Sequence, residues 1–246
     1  VMLPVSAVRA AGDISAAPAI KVYTQRDEPV RVGIPVVWPT PGTVAVMVNE
    51  DGPERVIQGS VPTDNCLVAF LPNGATVKIV DNSKSFSDVP AGVWFGDAVS
   101  FVSARDLFYG TTDTVFGPEV PMTYATAVTA LARFDGAQTE GGAVWYEKSM
   151  EWAAVHGMRD GAAPDSRITC EQLVTMLWKY QGSPVTALSD YGDMSQLNDA
   201  EKAMGWAVKH GIVNGFDNGT LAAKSQVNRA QAAQIVMNFA KKTAVQ

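Results

Sequence analysis

W-A-V-K-H-G-I-V-N-G-F-D-N-G-T-L-A-A-K-S-Q-V-N-R-A-Q-A-A-Q-I-V-M-N-F, residues Trp206 to Phe239, decides the fold because its shape recurs twice upstream. With Gly215 set against Gly161 and Gly110, the bulky residue nine places earlier is Trp206, Trp152 and Phe101, followed by the small Ala207, Ala153 and Val102. Past the glycine a polar residue, Asn228, Thr169 or Thr123, opens an apolar run that reaches an aromatic eleven places on: Phe239, Tyr180 and Phe134. Repetition at roughly 50 residues means one supersecondary unit stacked or bundled with its copies.

Each unit reads as helix, loop, helix. Gly157 and Gly211 close the first helix in the second and third copies, since glycine tolerates the left-handed conformation just past a helix end. The second helix opens at the polar residue. Thr169 with Gln172, and Asn228 with Gln231, have capping-box spacing, which satisfies backbone N–H groups that lack an intrahelical partner. Ala232, Ala233, Val236 and Phe239 then share one helical face, and that face must be buried. The copies are not identical: Gly161 reaches Thr169 in eight residues, whereas Gly110 to Thr123 and Gly215 to Asn228 take thirteen.

F-S-D-V at Phe86 to Val89, Trp94, the G-F-D-N-G-T loop at Gly215 to Thr220 and N-R-A-Q at Asn228 to Gln231 resemble the S-layer homology (SLH) domain. That family joins an F-x-D-V start to a G-x-x-x-G-Y-x-D-G-T-F loop and a T-R-A-E helix start, and builds one domain from three copies. The resemblance covers residues 86–242, close to two thirds of the chain, with repeats at about 86–136, 143–182 and 189–242. It implies an all-α, pseudo-threefold trimer of repeats: a central bundle of the three first helices with the second helices projecting around it and grooves between neighbours.

Upstream the period changes from helical to alternating. Val30, Val32, Ile34 and Val36, then Val44, Val46 and Val48, then Val77 and Ile79 are spaced by two, as half-buried strands require. Turn signals at Asn49–Pro53 and Pro72–Gly74 join these runs into hairpins, and Pro35, Pro39 and Pro41 favour edge strands or bulges. The expected architecture is α+β in two domains. Residues 1–19 form a lead-in helix with Pro4 in its first turn and Gly12 closing it; residues 20–85 form a small antiparallel sheet or sandwich plus linker; residues 86–242 form the SLH domain. The sheet resembles the β modules that precede SLH repeats in surface proteins. The chain has no initiator methionine and no charged leader, so it is read as part of a longer surface protein.

A net charge of −6 argues against general nucleic-acid binding, which depends on neutralising phosphates. No apolar run is long enough to span a bilayer. Cys66 and Cys170 are far apart, unlike the evenly used cysteines of an oxidised scaffold, and two histidines without clustered cysteines assemble no usual zinc set. Asn214–Thr220 lacks the alternating acids of a calcium loop and reads as a tight turn. No nucleophile elbow, phosphate loop or zinc-protease helix is present. No catalytic residue, cofactor or metal is therefore assigned.

The candidate ligand residues are Arg229, Asn228, Gly215, Asp88, Trp94 and Trp145. A helix N-terminus facing a groove offers N–H groups and the positive dipole end to an anion, and Arg229 in that first turn has a planar fork suited to a carboxylate. In the SLH family this arginine helps hold a secondary cell-wall polysaccharide, often through a pyruvylated amino sugar. The matching positions of the other copies hold Tyr124 and Cys170, neither a cation. Trp94 and Trp145 lie at helix starts, where a ring can pack or cover a sugar face. Asp88 caps a helix or braces a loop. Trp152, Trp206 and Phe101 are core anchors, and His156 and His210, each one residue before the closing glycine, complement the helix dipole. The implied function is extracellular anchoring of a larger protein to an anionic cell-wall polysaccharide. The alternative is a degenerate SLH scaffold serving as a structural or adhesive module without polymer binding.

Overall fold

A computed structural model describes residues 17–26, 28–49, 53–184, 200–215 and 220–245. The expected helix over 1–19 falls almost wholly outside them, as do most of the Asn49–Pro53 turn, the start of the third copy and the middle of its Gly215–Thr220 loop. Among the described residues the chain is α+β, with seven strands followed by six helices. It divides into two compact units, Val1–Phe116 with Thr243–Gln246, and Gly117–Lys242.

In the first unit, β1 (Ile20–Lys21), β7 (Thr76–Asp81), β3 (Thr43–Met47) and β4 (Arg55–Val56) form one antiparallel sheet in that order. The strands β2 (Val30–Pro35), β6 (Cys66–Leu71) and β5 (Val61–Pro62) form a second. Ile34, Leu67, Ala69 and Leu71 from one sheet meet Ala45, Val77 and Ile79 from the other in a single apolar core. The outer face of the first sheet is covered too: Val44, Val46 and Val80 pack against Ala104 of helix α1 (Gly96–Ala104). Strand β3 is consequently buried on both faces rather than half-buried. Pro35 does close an edge strand, and β3 and β4 pair across the Asn49–Pro53 region.

Pro72–Gly74 does not make a hairpin. It carries the chain from β6 in one sheet to β7 in the other, through a turn in which the Ala75 N–H donates to Pro72 O (3.2 Å) and Gly74 takes a φ of +79°. That left-handed backbone is what the glycine is there for.

Arg105, at the C-terminal cap of α1, ties helix to sheets. It is wholly buried. Its Nε donates to Ser60 O (2.5 Å), Nη1 to Pro41 O (2.8 Å) and Phe101 O (2.9 Å), and Nη2 to Thr43 O (2.6 Å). The guanidinium also lies over the Phe101 ring, 3.9 Å from its centroid. Burial lowers its pKa to about 9, so four carbonyl dipoles and a ring face hold a cation with no carboxylate in that set.

The second unit holds α2 (Tyr124–Phe134), α3 (Glu147–Val155), α4 (Cys170–Tyr180), α5 (Glu201–Lys209) and most of α6 (Arg229–Ala244). The local signals act as read: Gly157 and Gly211 adopt φ of +65° and +66° just past α3 and α5. Both capping boxes form, with Gln172 and Gln231 N–H groups on the side chains of Thr169 and Asn228 and each glutamine returning to the cap N–H.

The three segments entering α2, α4 and α6 exchange backbone hydrogen bonds in a closed cycle. Met122 N–H donates to Val227 O (2.9 Å), Val227 N–H to Ile168 O (3.1 Å) and Ile168 N–H to Met122 O (3.0 Å). All three side chains are buried. At the other end of the same helices Phe134, Tyr180 and Phe239 form a triangle of rings with centroids 6.0 to 6.4 Å apart. The second helices of the copies therefore converge at both ends. Within this unit the first helices of the second and third copies pack outward on second helices, α3 on α2 and α5 on α4, with Trp152 and Trp206 closing onto Tyr180 and Phe239. The apolar faces of the second helices end in large aromatics at matched positions, and that closes the triangle. Asp135 fixes the lower end by accepting from Trp152 Nε1 (2.9 Å) and Tyr180 OH (2.8 Å).

Candidate functional site

The same cycle decides what the helix starts can bind. The first N–H of each second helix donates to the neighbouring copy: Tyr124 to Ser166 O, Cys170 to Ser225 O and Arg229 to Val120 O, at 2.8 to 3.0 Å. The second does likewise, Ala125 to Pro164 O, Glu171 to Ala223 O and Ala230 to Pro118 O. The third meets its own cap side chain, Thr126 on Thr123, Gln172 on Thr169 and Gln231 on Asn228. The groups that a helix terminus leaves unpaired are thus taken up by protein. The expected anion site on bare N–H donors is not present; side chains must supply any recognition.

Arg229 is buried, at 9% exposure, not exposed as expected of a first-turn arginine. Placing a cation there, against the dipole and out of water, is costly unless polar partners surround it. Asn228 beside it is already engaged: its N–H and Oδ1 bond Gln231 and its Nδ2 donates to Glu119 Oε2 (2.8 Å). Gly215 is described, whereas residues 216–219 that follow it are not. In the first unit, Asp88 Oδ1 accepts from the Phe116 N–H (2.8 Å), the bracing role. Trp94 is 62% exposed and meets Phe95 edge to face at 5.2 Å. Trp145 in the second unit repeats the arrangement, 56% exposed with Tyr146 at 5.3 Å. Of the six, the structure sets Arg229 and Asn228 side by side at the start of α6, with Asp88 and Trp94 in one unit and Trp145 at the start of α3 in the other.

A cleft of about 640 Å³ opens in the second unit, walled by α4, the loop after α3 and the start of α5. None of the six candidates lines it. Tyr124, the counterpart of Arg229, does, together with Asp160, Glu171, Gln172 and Glu201. The Tyr124 hydroxyl donates to Met158 O (3.0 Å), and burial with the neighbouring Asp160 raises its pKa. Asp160 accepts from the Ala162 N–H (2.9 Å) and from Gln172 Nε2 (3.0 Å). Burial raises the Glu171 carboxyl as well, opposed by Lys224. The only sequence signal for this cleft was the substitution of tyrosine where the third copy has arginine. His156 does not join it: its Nδ1 sits 2.8 Å from Trp152 O with its ring against Trp152.

A family model described as S-layer homology domain matches residues 85–128 and 190–233, the first and third copies. The chain contains S-layer homology domains. The segment between them lies outside both matches, and in it Ile168 and Thr169 repeat the bonding of Met122 and Thr123. Relatives include an amylopullulanase of Thermoanaerobacterium thermosulfurigenes, 27% identical over 65% of this chain and 10% of that protein. An exoglucanase XynX of Acetivibrio thermocellus is 25% identical over 73% of this chain and 18% of its own length. An S-layer protein of Bacillus thuringiensis subsp. finitimus is 24% identical over 77% and 25%. The alignments span a tenth to a quarter of these relatives. SLH domains are non-catalytic modules that anchor surface proteins to the cell wall, and their presence together with an S-layer relative puts this chain at the cell surface. Among the described residues no helix is long and apolar enough to cross a membrane.

Proposed function

We propose that this chain is the anchoring part of a larger surface protein and binds an anionic, pyruvylated secondary cell-wall polysaccharide noncovalently, without catalysing a reaction. The observation that carries the reading is the match of residues 85–128 and 190–233 to the SLH domain. In this reading the copies at 86–136, 143–182 and 189–242 act as one pseudo-threefold trimer, preceded by a β module at residues 20–85 on which α1 of the first copy packs. The cyclic bonding of residues 122, 168 and 227 supports a trimer of equivalent copies. Arg229 is the cation for the ligand carboxylate, Trp94 and Trp145 offer ring faces, and Asp88, Asn228 and Gly215 shape the loops around them.

A second reading keeps the scaffold without polymer binding, and Tyr124 favours it at one junction, because its buried hydroxyl is spent on Met158 O beside the Asp160 carboxylate. Co-sedimentation with purified sacculi separates the two. Wild-type chain should pellet with intact sacculi and stay in solution once the polysaccharide is chemically stripped. Arg229→Ala should weaken retention roughly tenfold or more, the scale of a charge-assisted hydrogen bond, with Arg229→Lys intermediate and both variants checked for an unchanged fold. Retention that survives stripping excludes polysaccharide anchoring.

A further inference from the structure

Trp38 is the most exposed large apolar side chain among the described residues, at 89%. It is also held at a φ of +54°, a left-handed conformation that a bulky residue adopts only at a cost of about 1–3 kcal/mol. Glycine or asparagine would fill such a position with less strain. A fold that gains no packing from an indole and still holds it strained in water retains it for something outside itself.

The surrounding loop is rigid. Before Trp38, the Val36 N–H is tied to Asn65 O (3.0 Å). After it, Pro39 and Pro41 fix their own φ angles, Thr40 N–H donates to Thr43 Oγ1 (2.8 Å), Thr40 Oγ1 to Asp81 Oδ2 (3.2 Å) and Thr43 N–H to Thr40 O (3.0 Å). Arg105 clamps the carbonyls of Pro41 and Thr43. The indole is therefore presented with little left to order on binding, which is what raises affinity for a given contact.

The bond from Val36 to Asn65 O also brings the Thr63–Cys66 turn alongside the strand end two residues before Trp38. That turn exposes Asp64 and Asn65. Neither residues 36–43 nor residues 63–66 contain a lysine or arginine. A flat apolar ring next to short hydrogen-bonding side chains, with no cation, matches a neutral pyranose, whose C–H face stacks and whose hydroxyls bond at the edge. Val37 beside it is exposed as well, but one aliphatic neighbour falls short of the several contiguous apolar and aromatic side chains on which a protein interface is centred.

We propose that the Trp38 loop is a binding site for a neutral polysaccharide, separate from the SLH copies and independent of Arg229. Affinity electrophoresis of the whole chain through gels containing β-1,4-glucan, xylan, α-1,4-glucan or galactomannan tests it. At least one polymer should retard the wild type. Retardation should fall roughly tenfold in apparent affinity, equivalent to about 1.4 kcal/mol, in Trp38→Ala and Trp38→Gly, and persist in Arg229→Ala and Trp94→Ala. Trp38→Gly also relieves the backbone, so its thermal midpoint should sit at or above wild type. Absence of retardation by every polymer, retardation indifferent to Trp38, binding confined to wall proteins, or a Trp38→Gly midpoint several degrees below wild type would each overturn the proposal.

Discussion

Replacing Arg105 with methionine, similar in length and unable to donate, weighs the largest opposed forces in the first unit. Four donated bonds are lost, to Ser60, Pro41, Phe101 and Thr43 carbonyls, each worth about 1.5–3 kcal/mol because the donor is charged. Against that, the pKa lowered to about 9 by desolvation corresponds to about 5 kcal/mol that the native state spends on keeping a cation there. The bonds outweigh the burial. The expected loss is about 3 kcal/mol, a large part of a typical domain's 5–15 kcal/mol. Arg105→Lys should fall between, since an ammonium has three donors and no planar fork. Urea denaturation of the whole chain followed by circular dichroism measures both. A methionine variant as stable as wild type, or more so, would refute the reasoning by showing that burial cost dominates.

Two further outcomes follow from the second unit. Glu171 has its carboxyl raised by burial, so its folded pKa lies above the unfolded one and its ionisation opposes folding as pH climbs past the ordinary carboxylate range. Glu171→Gln should thus be more stable than wild type at pH 7 and indistinguishable from it at pH 3 by thermal melting. Asn228→Ala should lower stability by about 1 kcal/mol through the lost cap; Asn228→Ser should recover most of it, and Asn228→Asp less, because it sets a second carboxylate against Glu119.

What was legible in the chain was local. Gly157 and Gly211 stop helices because no other residue takes that φ as cheaply, and Thr169 and Asn228 start them with side chains a few atoms from the N–H groups they cap. Strand β6 escaped notice because C-L-V-A-F-L is continuously apolar: Val68 is buried on the outer face as Leu67 and Ala69 are on the inner, so the period of two is erased. The turn at Pro72–Gly74 announces a reversal without saying which sheet the next strand joins.

The misreadings at the candidate site share a cause, which is distance along the chain. Arg229 was expected in the open because a first-turn arginine looks solvated locally, yet the loop at Pro118–Val120, more than a hundred residues away, closes over the helix start. The role of Arg105 is likewise invisible locally, since its acceptors at residues 41, 43 and 60 carry no sequence signature. Which set of helices would converge was also beyond periodicity, since both helices of a unit have an apolar face. Only the matched aromatics Phe134, Tyr180 and Phe239 hinted at it.

The proposed reading needs the middle copy, which the family model does not cover, to be held as firmly as the other two through the cycle of Met122, Ile168 and Val227. Native-state hydrogen exchange at those three amides tests this most directly. The prediction is that all three open in one cooperative event, at the same and highest free energy in the second unit. Exchange of Ile168 by a separate local opening, at a free energy well below that of Met122 and Val227, would contradict it.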